Sequence, residues 1–243
     1  MNIIKLDATP STNIYLKELL AQMPLENYTV VVTENQTQGR GQRGSKWVSE
    51  SGSNLTFSVL IKDLLLRAED VFTLNILVSV GIIKALENLK INSLAVKWPN
   101  DILSGNKKIG GILIENIFKS NGDVVSVVGI GLNVNQKNFI DYPQASSLSV
   151  VAGCDFDKAV LLREIVAQLI FFCNKCRHHG ADEIWGEYHR LLFKKDVPSM
   201  FELPTKKRFL GMINAVTPLG ELQVIKADQS THHFRLKEIK MLY

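Results

Sequence analysis

The segment 101–116, DILSGNKKIGGILIEN, constrains the fold more than any other part of the chain. Gly105 and Asn106 separate two runs of strand-forming residues, and a pair of this kind closes a tight two-residue β-hairpin. The strand SLAVKW precedes the hairpin and is stopped by Pro99, since proline cannot continue a central ladder. The run GDVVSVVGIGLNV follows as another strand. A β-sheet is therefore predicted for the middle of the chain.

The rest of the chain combines helices with strands. Strands are predicted at 3–6, 28–34 and 54–62, and helices from Ser11 or Thr12 to about Gln22, at 69–89, at 156–177 and at 181–193. From Asp196 the pattern changes to short strands separated by turn signals, over 208–217, 221–227, 232–236 and 238–242. We therefore expect an α+β domain with a mixed sheet over residues 1–194 and a small β barrel, SH3-like, over residues 195–243.

The charge and hydropathy of the chain exclude some classes of function. The formal charge of the 243 residues is only +4, and the basic clusters Lys107–Lys108, Lys194–Lys195 and Lys206–Arg208 are spread along the chain. A nucleic-acid binder usually gathers such residues into one tract or stripe, so no specific DNA partner is expected. No uncharged run of transmembrane length and no signal peptide is evident, which predicts a cytoplasmic protein without a membrane partner.

Three cysteines are a small and odd number, which fits a reducing compartment. Cys173, Cys176, His178 and His179 could suggest zinc, but they fall at the C-terminal end of a predicted helix with poor zinc spacing. A helix C-terminus also disfavours a thiolate. Buried or half-buried thiols are the preferred interpretation.

The loop TENQTQGRGQRGSKW at 33–47 contains a formal G-x-G-x-x-G pattern. A dinucleotide fingerprint needs a strand directly before its first glycine and a helix starting at its last. Here the strand ends near Glu34, and SKWVSESGSN after Gly44 does not begin a helix. A P-loop is excluded as well, because no GK[ST] follows. What is left is a glycine-rich loop whose Arg40 and Arg43 could surround an anion.

Three motifs together resemble the biotin protein ligases, also called biotin–acetyl-CoA-carboxylase ligases. They are GRGQRGSKW, KWPND with the downstream KKIGGILIE, and GIGLNV, and DATPSTN resembles the start of the family's first helix. The resemblance runs over essentially the whole chain in the same order. It implies the family's catalytic fold, which is similar to that of class II synthetases, and the short form of the enzyme without an N-terminal DNA-binding domain.

The resemblance implies a two-step reaction. Biotin's carboxylate attacks the α-phosphate of ATP with Mg²⁺, and the biotinyl-adenylate then acylates one lysine of a biotin carboxyl carrier protein. A homodimer is possible. By matching positions, Lys108 and Arg40 are the expected catalytic residues. The expected biotin-binding residues are Ser11, Thr12, Asn13, Gln36, Gly39, Arg40, Gly41, Gln42, Lys108 and Gly111. The expected ATP- or adenylate-binding residues are Arg43, Trp47, Asn100, Asp101, Lys108 and Asn133.

Two points are left open by the resemblance. The family's loop often reads G-R-G-R, whereas the fourth position here is Gln42, which removes one cation beside the ligand. Asp101 could serve Mg²⁺ with the phosphates, which is the only metal role suggested, or it could serve the carrier lysine.

Two other functions compete with this prediction. A lipoate–protein ligase shares the catalytic fold but lacks KWPND in this form. A non-enzymatic nucleotide or nucleic-acid binder would explain the basic loop and small barrel, but the dispersed charge argues against it.

Overall fold

A seven-stranded mixed sheet forms the centre of the protein. The computed structural model describes residues 2–62, 64, 71–120 and 123–243, and at Arg43 the backbone only. The strands are β1 (Ile3–Thr9), β2 (Val30–Gln36), β3 (Leu55–Lys62), β4 (Leu94–Lys97), β5 (Asp101–Ser104), β6 (Lys107–Phe118) and β7 (Val124–Leu132). They are ordered β1-β2-β3-β7-β6-β5-β4. Only β1 and β2 pair in parallel. The sheet therefore brings β3 beside β7, although a helix and three strands separate them in sequence.

Helices cover both faces of this sheet. They are α1 (Thr12–Gln22), α2 (Val71–Asn88), α3 (Leu148–Ala152), α4 (Lys158–His179) and α5 (Asp182–Leu191). On one face α1 buries a small apolar cluster that includes Leu16, Leu60 and Val127. On the other, α2 packs among the sheet, α4 and α5 within the main core. Helix α2 is long and apolar enough to cross a membrane, but 61% of it is buried by the rest of the chain, as in the core helix of a globular domain.

The C-terminal unit is a five-stranded antiparallel sheet. Its strands are β8 (Pro198–Glu202), β9 (Arg208–Val216), β10 (Leu222–Lys226), β11 (Thr231–Phe234) and β12 (Lys240–Leu242). They are ordered β11-β10-β9-β8-β12, with β11 and β12 at the edges. Strand pairing does not close the sheet, so the predicted SH3-like barrel is not confirmed. The division at residue 194 also stays a prediction.

The two units share contacts and a hydrophobic core. The indole of Trp98 donates to the carbonyl of Gly220 at 3.0 Å, and the backbone N–H of Val216 donates to Nε2 of His189 at 3.1 Å. Core residues of both units belong to one apolar cluster. The C-terminal sheet is therefore held directly over the strand end that carries the KWPND motif.

Most predicted elements are confirmed, with boundary shifts of a few residues. Gly105 has a φ of +56°, and with Asn106 it joins β5 to β6 as expected. Helix α3 and strand β8 were not predicted individually. Residues 69, 70 and 122, at the predicted ends of a helix and a strand, lie outside the described residues.

Candidate active site

One face of the large sheet changes from apolar to glycine-lined along its strands. On β7, Val125 and Val127 are buried beneath α1, and Gly129 and Gly131 follow on the same face because alternate residues of a strand point the same way. A Cβ at Gly129 would lie 2.5 Å from Oδ1 of Asn13, at the start of α1. Helix α1 therefore begins over Gly129. It does not cover the part of the sheet face that lies beyond its N-terminus.

A cavity of about 870 Å³ opens over that uncovered face. This volume is in the range of small-molecule sites. The residues that the sequence predicted for the site and that line this cavity are Ser11, Thr12, Asn13, Gln36, Arg40, Gly41, Gln42, Trp47, Asn100, Asp101, Lys108 and Gly111. The structure therefore brings together residues 11–13, 36–47 and 100–111, which are separate segments of the chain.

A β-bulge aims Lys108 into the cavity. Residues 108 and 111 would face opposite sides of a regular strand, because successive side chains alternate. The pairing of β5 with β6 shifts by one residue, since Ile102 pairs with Gly110 and Leu103 with Lys108. A Cβ on Gly111 would consequently lie 3.5 Å from both Cε and Nζ of Lys108. The neighbouring Lys107 is exposed and donates instead to the carbonyl of Pro143.

Asp101 holds two lysines at the cavity wall. The Nζ of Lys108 lies 2.6 Å from its Oδ1, and the Nζ of Lys97 lies 3.4 Å from its Oδ2. The Lys97 ammonium also lies 5.3 Å from the centre of the Tyr243 ring, which is within range of a cation–π interaction. Burial and the charge of Asp101 raise the pKa of Tyr243. Lys108 is therefore ion-paired with Asp101 at the cavity wall.

The glycine-rich loop forms a short hairpin at the edge of the cavity. Gly41 donates its N–H to the carbonyl of Ser45 at 2.7 Å, and Trp47 donates to that of Gly39 at 3.0 Å, around a 3-10 turn at Gln42–Gly44. A Cβ on Gly39 would lie 2.2 Å from the Trp47 carbonyl oxygen, so glycine is required there for packing. No helix lies between residue 45 and the start of β3 at Leu55, so the structure agrees with rejecting a dinucleotide fingerprint.

The indole of Trp47 lies against the glycines of the sheet. A Cβ on Gly131 would be 2.4 Å from its Cε2, and one on Gly111 would be 3.5 Å from its Cζ3. Its Nε1 is buried without a hydrogen-bond partner among the described residues. The ring centre lies 5.8 Å from the Lys108 ammonium. Trp47 thus occupies the floor of the cavity beside the predicted catalytic lysine.

A buried polar cluster forms the opposite end of the cavity. Thr12 donates its backbone N–H to Oε1 of Gln36 at 2.9 Å. Asn13 donates to Oε2 of Glu115 at 2.8 Å, and Lys17 donates to Oε1 of the same carboxylate at 2.7 Å. Burial opposes ionisation of Glu115, but the hydrogen bonds from Lys17 and Asn13 hold its pKa below the ordinary value. Thr12, Asn13 and Gln36 therefore present uncharged hydrogen-bonding groups at this end, and the Glu115–Lys17 pair lies behind them, outside the cavity lining.

Four predicted site residues are placed differently from the rest. Asn133 is buried and donates through Nδ2 to the carbonyl of Ser146 at 2.9 Å, and it does not line the cavity. Gly39 does not line it either. The side chain of Arg43 lies outside the described residues. Asn100 does line the cavity, but its Nδ2 donates to the carbonyl of Ile112 at 2.6 Å and joins the motif to β6.

The sequence analysis missed several cations of the cavity. The cationic residues lining it, among those described, are Arg40, Lys46, Lys97, Lys108, Lys206, Lys237 and Lys240, and the acidic ones are Asp101 and Glu202. Lys97 begins the KWPND motif and could have been chosen for that reason. Lys46 lies in the glycine-rich loop, and Lys206, Lys237 and Lys240 lie in the C-terminal unit. The excess of cations favours a polyanionic ligand.

The cysteines lie away from this cavity. Cys154 is exposed, Cys173 is buried and Cys176 is half-buried. Burial raises the pKa of Cys173 to about 12. A thiol with that pKa is a poor nucleophile at neutral pH.

Comparisons with known proteins point in one direction. A model of the biotin/lipoate A/B protein ligase family matches residues 6–135. The bifunctional ligase/repressor BirA of Bacillus spizizenii is 33% identical over 68% of this chain and 51% of its own length. The biotin–[acetyl-CoA-carboxylase] ligase of Mycobacterium tuberculosis is 30% identical over 72% of this chain and 66% of its own. The chain thus spans about half to two thirds of these curated relatives.

A solved structure shows the same fold. The biotin protein ligase of Aquifex aeolicus in complex with biotin and ATP superposes with a TM-score of 0.80 and is 24% identical. The match covers 99% of this chain and 98% of that one. The likeness therefore includes both the large mixed sheet and the C-terminal sheet.

Proposed function

Because the chain belongs to the biotin/lipoate A/B protein ligase family, we propose that it attaches biotin to one lysine of a carrier protein in an ATP-dependent reaction that passes through biotinyl-adenylate. The carrier is a biotin carboxyl carrier protein or domain, such as that of acetyl-CoA carboxylase. The class II synthetase-like catalytic fold and an SH3-like C-terminal domain from residue 195 belong to the same proposal.

The observation that carries this proposal is the polarity of the cavity over the glycine-lined face of the sheet. One end offers hydrogen-bonding groups from Thr12 and Gln36, which suit a neutral ring with both donors and acceptors. The other end is strongly cationic and includes Lys97 and Lys108. A molecule with a neutral polar ring at one end and a carboxylate at the other, bound next to a nucleoside triphosphate, matches the neutral end and the cationic end of the cavity.

The first chemical step needs cations between two anions. A carboxylate and a phosphate 4 Å apart repel by about 4 kcal/mol at an effective dielectric of roughly 20. Lys108 reaches into the cavity and can turn from Asp101 toward the reacting oxygens. Lys97 lies beside the other oxygen of Asp101 and keeps that carboxylate paired when Lys108 moves. Charge stabilisation by prepositioned groups of this kind is the main source of catalysis here.

Magnesium fits this site as a companion of the triphosphate. Among the described residues no group of three or more His, Cys, Asp or Glu side chains could hold a metal ion by itself. Mg²⁺ is usually bound by one or two carboxylates together with substrate phosphates, and Asp101 supplies one carboxylate in the cavity. The ion would supply charge neutralisation at the phosphates, with Asp101 as its protein ligand.

Several partners and properties stay predictions within this proposal. The positive charge of the cavity is accounted for by ATP, so we expect no specific DNA partner. A homodimer, a cytoplasmic location and the absence of a membrane partner are also expected. Analytical ultracentrifugation at micromolar concentration tests the dimer directly.

Incubation with biotin, ATP, Mg²⁺ and a biotin carboxyl carrier domain tests the function. Intact-mass measurement of the carrier is expected to show a gain of one biotinyl group, which is lost when the carrier's acceptor lysine is replaced by arginine. Biotin-dependent exchange of pyrophosphate into ATP tests the first step alone. An unmodified carrier and no exchange would overturn the proposal.

Lipoate–protein ligation is the second candidate, because the matching family model includes lipoate ligases. The half-buried amide of Gln36 disfavours it, since a dithiolane ring offers this amide no strong hydrogen-bond partner. Lipoate in place of biotin, with a lipoyl domain as acceptor, is therefore the control substrate.

Replacing Gln42 by arginine is expected to slow the release of biotinyl-adenylate. Gln42 lies in the 3-10 turn of the loop and lines the cavity. A guanidinium there would add a charged hydrogen bond to the adenylate phosphate worth about 1.5 kcal/mol, which is roughly tenfold in dissociation rate. Stopped-flow chase of bound adenylate with excess unlabelled ligand measures the rate. An unchanged rate would mean that this position does not contact the adenylate.

A further inference from the structure

Ser58 lies at the centre of the polar cluster but does not line the cavity. Its side chain is fully buried on β3, and its Oγ lies 2.6 Å from Oδ1 of Asn13 and 2.7 Å from Oγ1 of Thr12. An amide oxygen can only accept a hydrogen bond, so the Ser58 proton goes to Asn13. The contact of 2.7 Å with Thr12 then requires the Thr12 proton, so the Thr12 hydroxyl donates to Oγ of Ser58.

Both the nitrogen and the oxygen of the Asn13 amide are hydrogen-bonded to other residues of the protein. Its Nδ2 donates to Oε2 of Glu115 at 2.8 Å and to the carbonyl of Leu113 at 3.3 Å, while its Oδ1 accepts from Ser58. Two acceptors at the nitrogen fix which end of the amide is which. Asn13 was expected from the resemblance to bind biotin, but these contacts favour a role in holding α1 against the sheet.

The orientation of Gln36 follows from this arrangement. Its Oε1 accepts from the backbone N–H of Thr12 at 2.9 Å. Its Nε2 therefore points away from Thr12, and no described residue accepts from it. Because Gln36 lines the cavity, it presents an N–H donor at this end. A ring with a carbonyl oxygen can accept that bond, whereas a dithiolane ring has only weak sulfur acceptors.

We propose that Ser58 and Glu115 are positioning residues that hold Gln36 in the orientation that donates into the cavity, and so select a ring with a carbonyl acceptor. The inference rests on the proposed function, since it concerns discrimination of biotin from lipoate at the same site. Ser58 acts by accepting from the Thr12 hydroxyl, which keeps the backbone N–H of Thr12 on Gln36. Glu115 acts by keeping the Asn13 nitrogen turned toward it, which leaves the Asn13 oxygen to accept from Ser58.

The chain offers a closely matched control for Ser58. Ser126 is a buried serine of the same sheet, and its Oγ donates to Oδ1 of Asn116 at 2.7 Å, away from the cavity. Both Ser58→Ala and Ser126→Ala remove one buried hydroxyl from one asparagine. Similar losses of thermal stability are therefore expected, so any difference in substrate kinetics reports on position.

Ser58→Ala is expected to raise KM for biotin about tenfold in pyrophosphate exchange, the effect of one lost hydrogen bond, while kcat and KM for ATP stay within twofold. Binding of biotin by calorimetry is expected to weaken by the same factor, and binding of lipoate is expected to stay unchanged. Ser126→Ala should leave all of these values unchanged. Equal KM values for biotin in the two serine variants would overturn the inference.

Glu115 gives a second and independent comparison. Glu115→Gln keeps an oxygen that accepts from Asn13, so its KM for biotin is expected to stay within about threefold of the unmodified protein. Glu115→Met removes that acceptor and is expected to raise KM about tenfold. Lys17→Met removes the ion pair but leaves the Asn13 contact, and it should behave as the unmodified protein. Equal effects of Glu115→Gln and Glu115→Met would contradict a positioning role.

Two outcomes separate failure of this inference from failure of the proposed function. Transfer of lipoate rather than biotin by the unmodified protein would overturn both. Normal biotinylation by the unmodified protein, with equal KM values for biotin in Ser58→Ala and Ser126→Ala, would overturn this inference alone.

Discussion

Lys108→Ala is expected to slow the formation of biotinyl-adenylate by roughly a thousandfold, because it removes about 4 kcal/mol of charge stabilisation between the carboxylate and the α-phosphate. The effect belongs mainly to the transition state, in which the two anions are closest. Biotin binding should fall only moderately. Single-turnover measurement of adenylate formation, with biotin affinity measured separately, gives both quantities.

The bulge in β6 provides the control for this substitution. Lys107 is the adjacent residue, but it is exposed and bonded to the carbonyl of Pro143 outside the cavity. Lys107→Ala should therefore keep normal kinetics. Synthetic biotinyl-adenylate should restore much of the transfer to the carrier in Lys108→Ala, since it bypasses the step between anions. A crippled Lys107→Ala beside a normal Lys108→Ala would show that the register of this hairpin is wrong by one residue.

Gly131→Ala is expected to displace Trp47 from the floor of the cavity and to raise KM for ATP about a hundredfold. The added Cβ would lie 2.4 Å from Cε2 and 2.5 Å from Cζ2 of the indole, closer than real Cβ contacts allow. Overpacking of this severity costs roughly 3 kcal/mol, which corresponds to about a hundredfold in affinity. The cost is assigned to ATP because Trp47 is the residue predicted to pack on adenine.

Tryptophan fluorescence separates displacement of Trp47 from general unfolding. The buried Nε1 of Trp47 gains water when the ring moves, so the emission of ligand-free Gly131→Ala should shift to the red, with Trp47→Phe giving the background of the other tryptophans. Gly111→Ala is the control, because its Cβ would meet the indole at an ordinary 3.5 Å. Unchanged emission and unchanged KM for ATP in Gly131→Ala would contradict the assigned position of the ring.

Patterns over short stretches of sequence determined the elements and the motif residues. Gly105 and Asn106 form a turn because of their own residue types, whatever the position of the flanking strands in the sheet. Ser11 precedes α1 because a polar residue followed by leucines at helical spacing favours the start of a helix there. The KWPND and GRGQRG segments could be chosen for chemistry because together they resemble motifs of the biotin protein ligases. Strand β8 was missed because it begins at Pro198, a residue that usually argues against a strand.

Only the tertiary structure decided how these residues face one another. The pairing of β3 with β7 brings Ser58 and Gly129 beneath the first turn of α1, and no local pattern specifies a contact across so many residues. The one-residue bulge in β6 turned Lys108 toward Asp101, whereas simple alternation would have pointed residues 108 and 111 to opposite faces. Asn133 was chosen from its motif, but the packing of the loop at Ser146 takes its amide away from the cavity. Tertiary packing also brings the cations of the C-terminal unit to the site. Hydrophobic burial between the two units places the C-terminal sheet over the ends of the strands, and no local pattern around those cations specifies that position.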